Sequence, residues 1–265
     1  MRISVVTIAW NDRAGVQKTV ESVRSQTWAD IEHIVVDGGS SDGTREYLET
    51  LDERTQWTSD RDKGRYDAMN KGALAATGDI VWFMNSADVF RSPTSAEFVA
   101  THADIPSFRW GYGLSRIVSD GTPIGVGGRV PFDHQRFLLG GRPLPHQATV
   151  FTRDFFWELG GYDIDFGLTS DQLFMMKASM AERPTVWAEF LCDFDASGAG
   201  STRGAWAHYS DMRRARKTAG VVVLGNRFVD TVASSLLAVG TIGDRVQRRL
   251  VQRATPSTRP VVQGR

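Results

Sequence analysis

Cysteine is nearly absent. Cys192 is the one cysteine in 265 residues, so no disulfide within the chain and no cysteine-based metal cluster can form. Net charge is lacking as well, with 31 Lys/Arg against 31 Asp/Glu, which removes any global attraction to nucleic acid or to an acidic partner. No run of about 18 uncharged apolar residues occurs, and a spanning helix is not expected. The opening Met1-Arg2-Ile3-Ser4-Val5-Val6-Thr7 has neither an apolar signal-peptide core nor a small-residue cleavage site. No Gly-Lys-Ser/Thr phosphate loop is found, and Gly127-Gly128 lacks the strand-then-helix setting of a dinucleotide fingerprint. These absences point to a reduced, cytoplasmic setting. What is present, 41% hydrophobic and 10% aromatic residues, suffices for a large core, and the length suits one to two domains.

The balanced charge hides a split. From residue 203 onward, twelve Lys/Arg stand against three acids, so residues 1–202 carry the compensating excess of nine acids. A reversal of that size marks a change of role and places a boundary near Ser201. Before it, the runs Ile3–Ile8, Ile31–Val36 and Ile80–Met84 are short and rich in Val/Ile, as strands buried on both faces are. A further strand is taken to end ahead of Asp62. Helices are expected over Gly15–Ser25, with Val16, Val20 and Val23 on one face, and over Thr44–Leu51 after the capping stretch 40–43. A third is expected over Tyr66–Ala76, with Gly78 at its end. The alternation implies an α/β fold, a mostly parallel sheet with helices on both faces, and ligands beyond the carboxyl ends of the strands. Residues 90–145, broken by glycines, read as irregular antiparallel material with strands at Ser115–Ser119 and Thr122–Val126.

The strand ends carry the candidate chemistry. Thr7, Ala9 and Asn11 follow the first strand. Asp37-Gly38-Gly39-Ser40-Ser41-Asp42-Gly43-Thr44 follows the second, offering a carboxylate and bare backbone amides to a ligand; the same composition also suits a plain turn and helix cap. Asp62-Lys63-Gly64-Arg65-Tyr66-Asp67-Ala68-Met69-Asn70-Lys71-Gly72 concentrates charge at a helix start, which suits phosphate or ribose, or an ordinary solvated terminus with Asp67–Lys71 pairing. Asn85-Ser86-Ala87-Asp88 ends an apolar strand, where a carboxylate could hold a divalent cation through hard oxygen ligands.

Read together, these four segments with Ala76-Thr77-Gly78-Asp79, His146-Gln147-Ala148-Thr149, Gly160-Gly161-Tyr162-Asp163 and Asp171 resemble glycosyltransferase family 2. The resemblance covers about residues 2–200. It implies a GT-A fold, a Rossmann-like α/β domain over 1–200 with a nucleotide-sugar donor half (1–90) and an acceptor half (91–200), followed by a basic helical extension over 201–265. It also implies a hexosyltransferase that moves sugar from a nucleotide-diphosphate donor to a hydroxyl of a glycan or glycolipid, by an inverting displacement assisted by Mn²⁺ or Mg²⁺. On this resemblance Asp37 reads the donor base beside Thr7, Ala9, Asn11 and Gly38. Asp62, Lys63, Gly64, Tyr66, Asp67, Asn70, Asn85 and Ser86 line the donor pocket, and Asp88 holds the cation. Asp171, opening a helix over Gln172–Met180, is the base that accepts the hydroxyl proton, and His146 and Gln147 contact the diphosphate or the acceptor. One position departs from the pattern: the family's Asn-Ser-Asp-Asp reads Asn85-Ser86-Ala87-Asp88, so a carboxylate is missing. That loss motivates an alternative, a catalytically silent nucleotide-sugar-binding partner subunit.

Each of these residues has a plainer reading. Ser170 or Asp171 also suits a helix cap, and His146 also suits a structural role. His33, His102, His134 and His208 receive no role, and the eight tryptophans read as core or rim. Gly198-Ala199-Gly200-Ser201-Thr202 resembles the Gly/Ser segment that follows the core in relatives. The basic tail reads as helical over 211–253. It suits an anionic membrane surface, at which the enzyme would lie as a peripheral protein on the inner face, or a helical hairpin packed on the core or pairing in a homodimer. No nucleic-acid-reading motif accompanies the charge.

Overall fold

The structure is a computed structural model that describes residues 1–196 and 205–254, with the side chains of 1–196 and 206–240. The Gly198–Thr202 segment and the boundary near Ser201 lie outside the described residues. Strand β1 (Ile3–Ala9) leads to α1 (Arg13–Arg24), β2 (Ile31–Asp37), α2 (Thr44–Leu48), β3 (Thr55–Ser59), α3 (Arg65–Ala75) and β4 (Ile80–Phe83). There follow β5 (Val89–Phe90), α4 (Ser95–His102), β6 (Trp110–Ser119), β7 (Thr122–Gly127) and α5 (His134–Leu138). The chain then forms β8 (Thr149–Thr152), α6 (Arg153–Glu158), α7 (Ser170–Ala181), β9 (Thr185–Asp195), α8 (Ala205–Thr218) and α9 (Arg227–Ala254).

The strands form one sheet in the order β3-β2-β1-β4-β8-β6-β9-β5, with β7 on β6. Pairs β3–β2, β2–β1 and β1–β4 are parallel. Beyond β4 the sheet is mixed: β8 runs antiparallel to both β4 and β6, β5 runs antiparallel to β9, and β6–β9 is parallel. The parallel order expected from the sequence therefore belongs to the first half. β8 has four residues and β5 two, too few to show a period, so neither was legible.

Both faces of β1, β2 and β4 are covered, while the edge strand β3 leaves Gln56 and Thr58 exposed. Val6, Ile34, Val36, Val81 and Phe83 point to one face, where α3, α6 and α7 pack on them. Ile3, Val5, Ile80, Trp82 and Met84 point to the other, and Val35 meets Val16, Val20 and Leu48 there. Alternate residues of each strand thus enter different cores, which explains runs that are apolar throughout.

Two expected features take different forms. α2 ends at Leu48 rather than Leu51, because the amides of Thr50 and Leu51 turn back to Tyr47 O and Leu48 O in tight i→i−3 bonds. Gly78 is not the cap of α3, whose C-cap is Ala76 in an extended conformation. Instead the Ala-Thr-Gly-Asp segment wraps the buried Glu32 carboxylate: Thr77 N (2.5 Å), Thr77 Oγ1 (2.8 Å) and Gly78 N (3.0 Å) donate to it, as does Ser4 Oγ. Burial pulls the Glu32 pKa up, yet these donors outweigh it and leave the group below the usual carboxylate value. A Cβ on residue 78 would meet Ser4 Oγ at 2.6 Å and Arg2 O at 2.8 Å, so glycine is needed for close approach. The same holds for Gly72, where a Cβ would lie 2.3 Å from Val6 Cγ1. Gly72→Ala should push α3 off β1 and destabilise the fold by about 1–3 kcal/mol, read as a lower urea midpoint; an unchanged midpoint would contradict this packing.

Candidate active site

A cleft of about 1120 Å³ opens at the carboxyl ends of β1, β2, β3 and β4, closed on the far side by the 143–147 loop and the start of α7. Of the sequence-predicted residues, Ala9, Asn11, Gly38, Asp62, Gly64, Tyr66, Asn85, Ser86, Asp88, His146, Gln147 and Asp171 line it. Thr7, Asp37, Lys63, Asp67 and Asn70 do not. Thr7 is buried with its Oγ1 2.9 Å from His33 Nε2. Asp37 is fully buried, and its carboxylate accepts from Ser40 N (3.0 Å), Ser59 Oγ (2.6 Å) and Ser40 Oγ. It therefore ties the 37–44 turn to β3 beneath the cleft floor. Asp67 accepts from Lys63 N and pairs with Lys71 at 3.0 Å, and Asn70 clamps the Tyr162 backbone from both sides, at 2.8 and 2.9 Å.

Glycine at 38 has a specific use. A Cβ there would lie 2.8 Å from Asp62 Oδ2 and 3.4 Å from Trp10 Cδ1. The bare backbone lets the Asp62 carboxylate come over the end of β2 beside the exposed Trp10 ring, while Gly64 N holds Asp62 Oδ1 at 2.7 Å. Trp10, among the tryptophans read as core or rim, is 71% exposed at the cleft.

Asp88 is aimed by several elements. Thr19 of α1 bonds the carbonyls of Asn85 (3.2 Å) and Asp88 (2.8 Å), and Ser86 Oγ donates to Asp12 Oδ2 at 2.8 Å. Asp12 in turn caps α1, a role its place just before a predicted helix could have suggested. Between them Ala87 adopts φ 71°, a left-handed conformation that costs an alanine about 1–2 kcal/mol. The Asp88 carboxyl is 3% exposed, accepts from Asp195 N at 2.9 Å, and is held by the Gln147 side chain. Burial raises its pKa to about 8, with the Asp195 charge adding to the rise. Asp195, at the end of β9, joins the cleft from a strand that the sequence did not reveal.

Asp171, which lines the same cleft, lies in the first turn of α7. The Tyr66 hydroxyl is 2.9 Å from its Oδ1 and 2.7 Å from Leu168 O. Gln172 Nε2 reaches Oδ2 at 3.1 Å and Leu144 O at 3.0 Å. Burial, then the Asp171 charge, raises the Tyr66 pKa well above its ordinary value, which keeps this hydroxyl a donor. Ser170 and Asp171 do not act as the cap: Thr169 holds that position without a side-chain bond. His146 is buried, stacked on Phe83 and 2.8 Å from Tyr162 Oη. Burial lowers its pKa, so its ring is neutral near pH 7.

Comparison with known proteins follows the same lines. The family described as Glycosyl transferase family 2 matches residues 4–106. An uncharacterised glycosyltransferase of Mycobacterium tuberculosis is 41% identical over 218 residues, 80% of this chain and 82% of the relative. The chain belongs to glycosyltransferase family 2. A PGL/p-HBAD biosynthesis glycosyltransferase of Mycobacterium bovis is 30% identical over 173 residues, covering 63% of this chain and 66% of the relative. Among solved structures, S. aureus TarS 1–349 in complex with UDP-GlcNAc superposes with a TM-score of 0.65 at 16% identity, over 87% of this chain and 69% of that one. The mannosyltransferase PcManGT from Pyrobaculum calidifontis, in complex with GDP-Man and Mn²⁺, gives 0.59 at 17% identity, over 94% and 80%. The fold is GT-A, and this family 2 chain is an enzyme of the glycosyltransferase class.

The donor set suits a hard divalent cation. Asn85 Oδ1 is buried without a hydrogen-bond partner, and Asp88 lines the same cleft. Among the described residues no cluster of three or more His, Cys, Asp or Glu occurs, so any bound cation would draw most of its ligands from diphosphate and water. Without cation, the fold favours neutral Asp88: that stability is full below about pH 4 and lost as pH rises through about 8. Asp88→Asn should therefore raise stability by about 1 kcal/mol or more at pH 8 and little at pH 4, read as urea midpoints in chelator. Equal midpoints at pH 8 would refute the burial account.

Proposed function

We propose that the cleft binds a nucleotide-diphosphate hexose and that Asp171 accepts the proton of an acceptor hydroxyl in an inverting displacement. The observation that carries this reading is that Asp88 and Asp171, far apart in the chain, line one cleft together with the bare backbone of Gly38 and Gly39. In this reading residues 1–90 hold the donor and 91–200 the acceptor, with 201–265 as an extension.

Trp10 offers a flat apolar surface to the nucleotide base, and Asp62 beside it accepts from base N–H or ribose hydroxyl groups. Asp37, its carboxylate satisfied internally, acts on the base by fixing the Gly38–Ser40 backbone, with Thr7 and Ala9 under the same turn; Asn11 caps that turn by accepting from Ser41 N at 2.9 Å. Lys63 and Asp67 shape the start of α3, whose N-terminal dipole favours the diphosphate near Gly64, and Asn70 ties the middle of that helix to the turn at Tyr162. Asn85, Ser86 and Asp88 face the diphosphate across the cleft. Mn²⁺ or Mg²⁺, when bound there, offsets charge growing on the leaving diphosphate.

Tyr66 and Gln172 fix the two oxygens of Asp171. The acceptor oxygen forms its bond to the anomeric carbon as that carbon's bond to the diphosphate oxygen breaks. The hydroxyl proton passes to Asp171, and the electron pair leaves with the nucleoside diphosphate. Neutral His146, held by Tyr162, and Gln147 border the acceptor side. A glycan or glycolipid hydroxyl is the acceptor in this reading.

Asp171→Asn should lower kcat by about 10²–10⁴-fold while leaving thermal stabilisation by nucleoside diphosphate unchanged. Unchanged turnover removes Asp171 from the reaction. A parent protein that binds the diphosphate but releases it from no sugar donor, with Mn²⁺ present, would instead be the silent subunit suggested by Ala87.

A further inference from the structure

The α8–α9 hairpin presents an apolar surface that the transfer site does not use. At about 3.6 residues per turn, Asp230, Ser234 and Ala238 share one side of α9 and are buried. Phe228, Val229, Val232, Leu236 and Val239 share the opposite side and are exposed, Phe228 by 74% and Leu236 by 68%. This orientation is locked from below. Arg216 donates to Ser234 Oγ at 2.7 Å and lies 3.9 Å from Asp230, and Ser234 Oγ donates to Leu139 O at 2.6 Å. Asp230 also accepts from Val223 N (2.9 Å) and Leu224 N (2.8 Å). Rotating α9 to hide its apolar side would strip partners from these buried charges, which is strongly destabilising.

Charge selects the occupant. Asp230, the acid in the part of α9 with described side chains, is turned inward, while Arg213, Lys217 and Arg227 are exposed on the hairpin. The chain from residue 203 onward carries twelve bases and three acids, so two such tails repel each other and an anionic surface attracts both. No helix among the described residues is long and apolar enough to cross a membrane. An exposed apolar stripe, basic flanks and no span are the properties of a helix lying in a lipid headgroup layer. Its place in the fold adds a reason. Arg214 stacks on the Phe166 ring at 4.1 Å and donates to Phe166 O, in the segment that leads directly to Leu168 and Asp171 in the cleft wall.

We infer that the hairpin seats the protein on an anionic lipid surface through the Phe228–Val239 face of α9, bringing the Asp171 end of the cleft to a lipid-linked acceptor. The acceptor part rests on the function proposed above; the lipid contact does not.

The test is co-sedimentation of the full chain with sucrose-loaded vesicles, either phosphatidylcholine alone or phosphatidylcholine with phosphatidylglycerol, without donor or acceptor. Partitioning onto the anionic vesicles should exceed that onto neutral ones by about tenfold or more and fall with added salt. The exposed double substitution Phe228→Ser with Leu236→Ser should cut it by about tenfold or more, with nucleoside-diphosphate thermal stabilisation unchanged. Equal partitioning onto both vesicles, or full binding by the double variant, overturns the inference. So does a concentration-dependent dimer that the double substitution dissociates while vesicle binding stays absent, since the face would then join two copies. Any of these failures leaves the catalytic reading intact, which stands or falls on turnover by Asp171→Asn.

Discussion

Burial of both faces of β2, β1 and β4 is the constraint on which the rest of the structure depends. Parallel strands with helices above and below leave their residues no side open to water, so polar groups are driven to the strand ends or must be satisfied inside. Glu32 and Asp37 show the internal solution, each surrounded by hydroxyl and amide donors. Asp12, Asp62, Asn85 and Asp88 show the other, collected at one edge because the strands all point the same way. The cleft is thus a geometric result of parallel order, and its chemistry comes from what the buried strands cannot hold.

The second wall comes from the mixed half, and few contacts join the two halves at the site. Tyr66 reaches Asp171, Asn70 clamps the turn at Tyr162, Gln147 holds Asp88, and the Asp195 amide closes on Asp88. Each bond crosses from residues before 90 to residues after 145. The carboxylates that would act on the donor and on the acceptor are therefore positioned by the same seam that joins the sheet halves. Ala87, held at positive φ, stores strain in the turn that aims Asp88, as backbones at functional sites often do.

Some of this could be read directly from the chain. The early strands and α1, α3 and α7 followed from Val/Ile runs and helical spacing, and the GT-A family from the motif order. The donor assignments were coarser. Asp37, Asp67 and Asn70 stand inside the motifs, yet their side chains serve the framework, because a motif preserves a loop's shape as much as its contacts. Gly72 and Gly78 look like parts of the same signature but answer to packing against Val6 and Ser4.

Composition and local order alone determined a doubly covered α/β half, a basic helical end and a set of carboxylates at strand ends, because backbone period, capping and charge are local properties. Which carboxylates face one another was decided only by the tertiary structure. Asp88 meets Asp195 through a strand with no clear local signal, Asp62 comes over Gly38, and α9 turns its apolar side outward because Arg216 and Asp230 must find each other inside. Those outcomes depend on distances between segments a hundred residues apart in some cases, which no local pattern encodes.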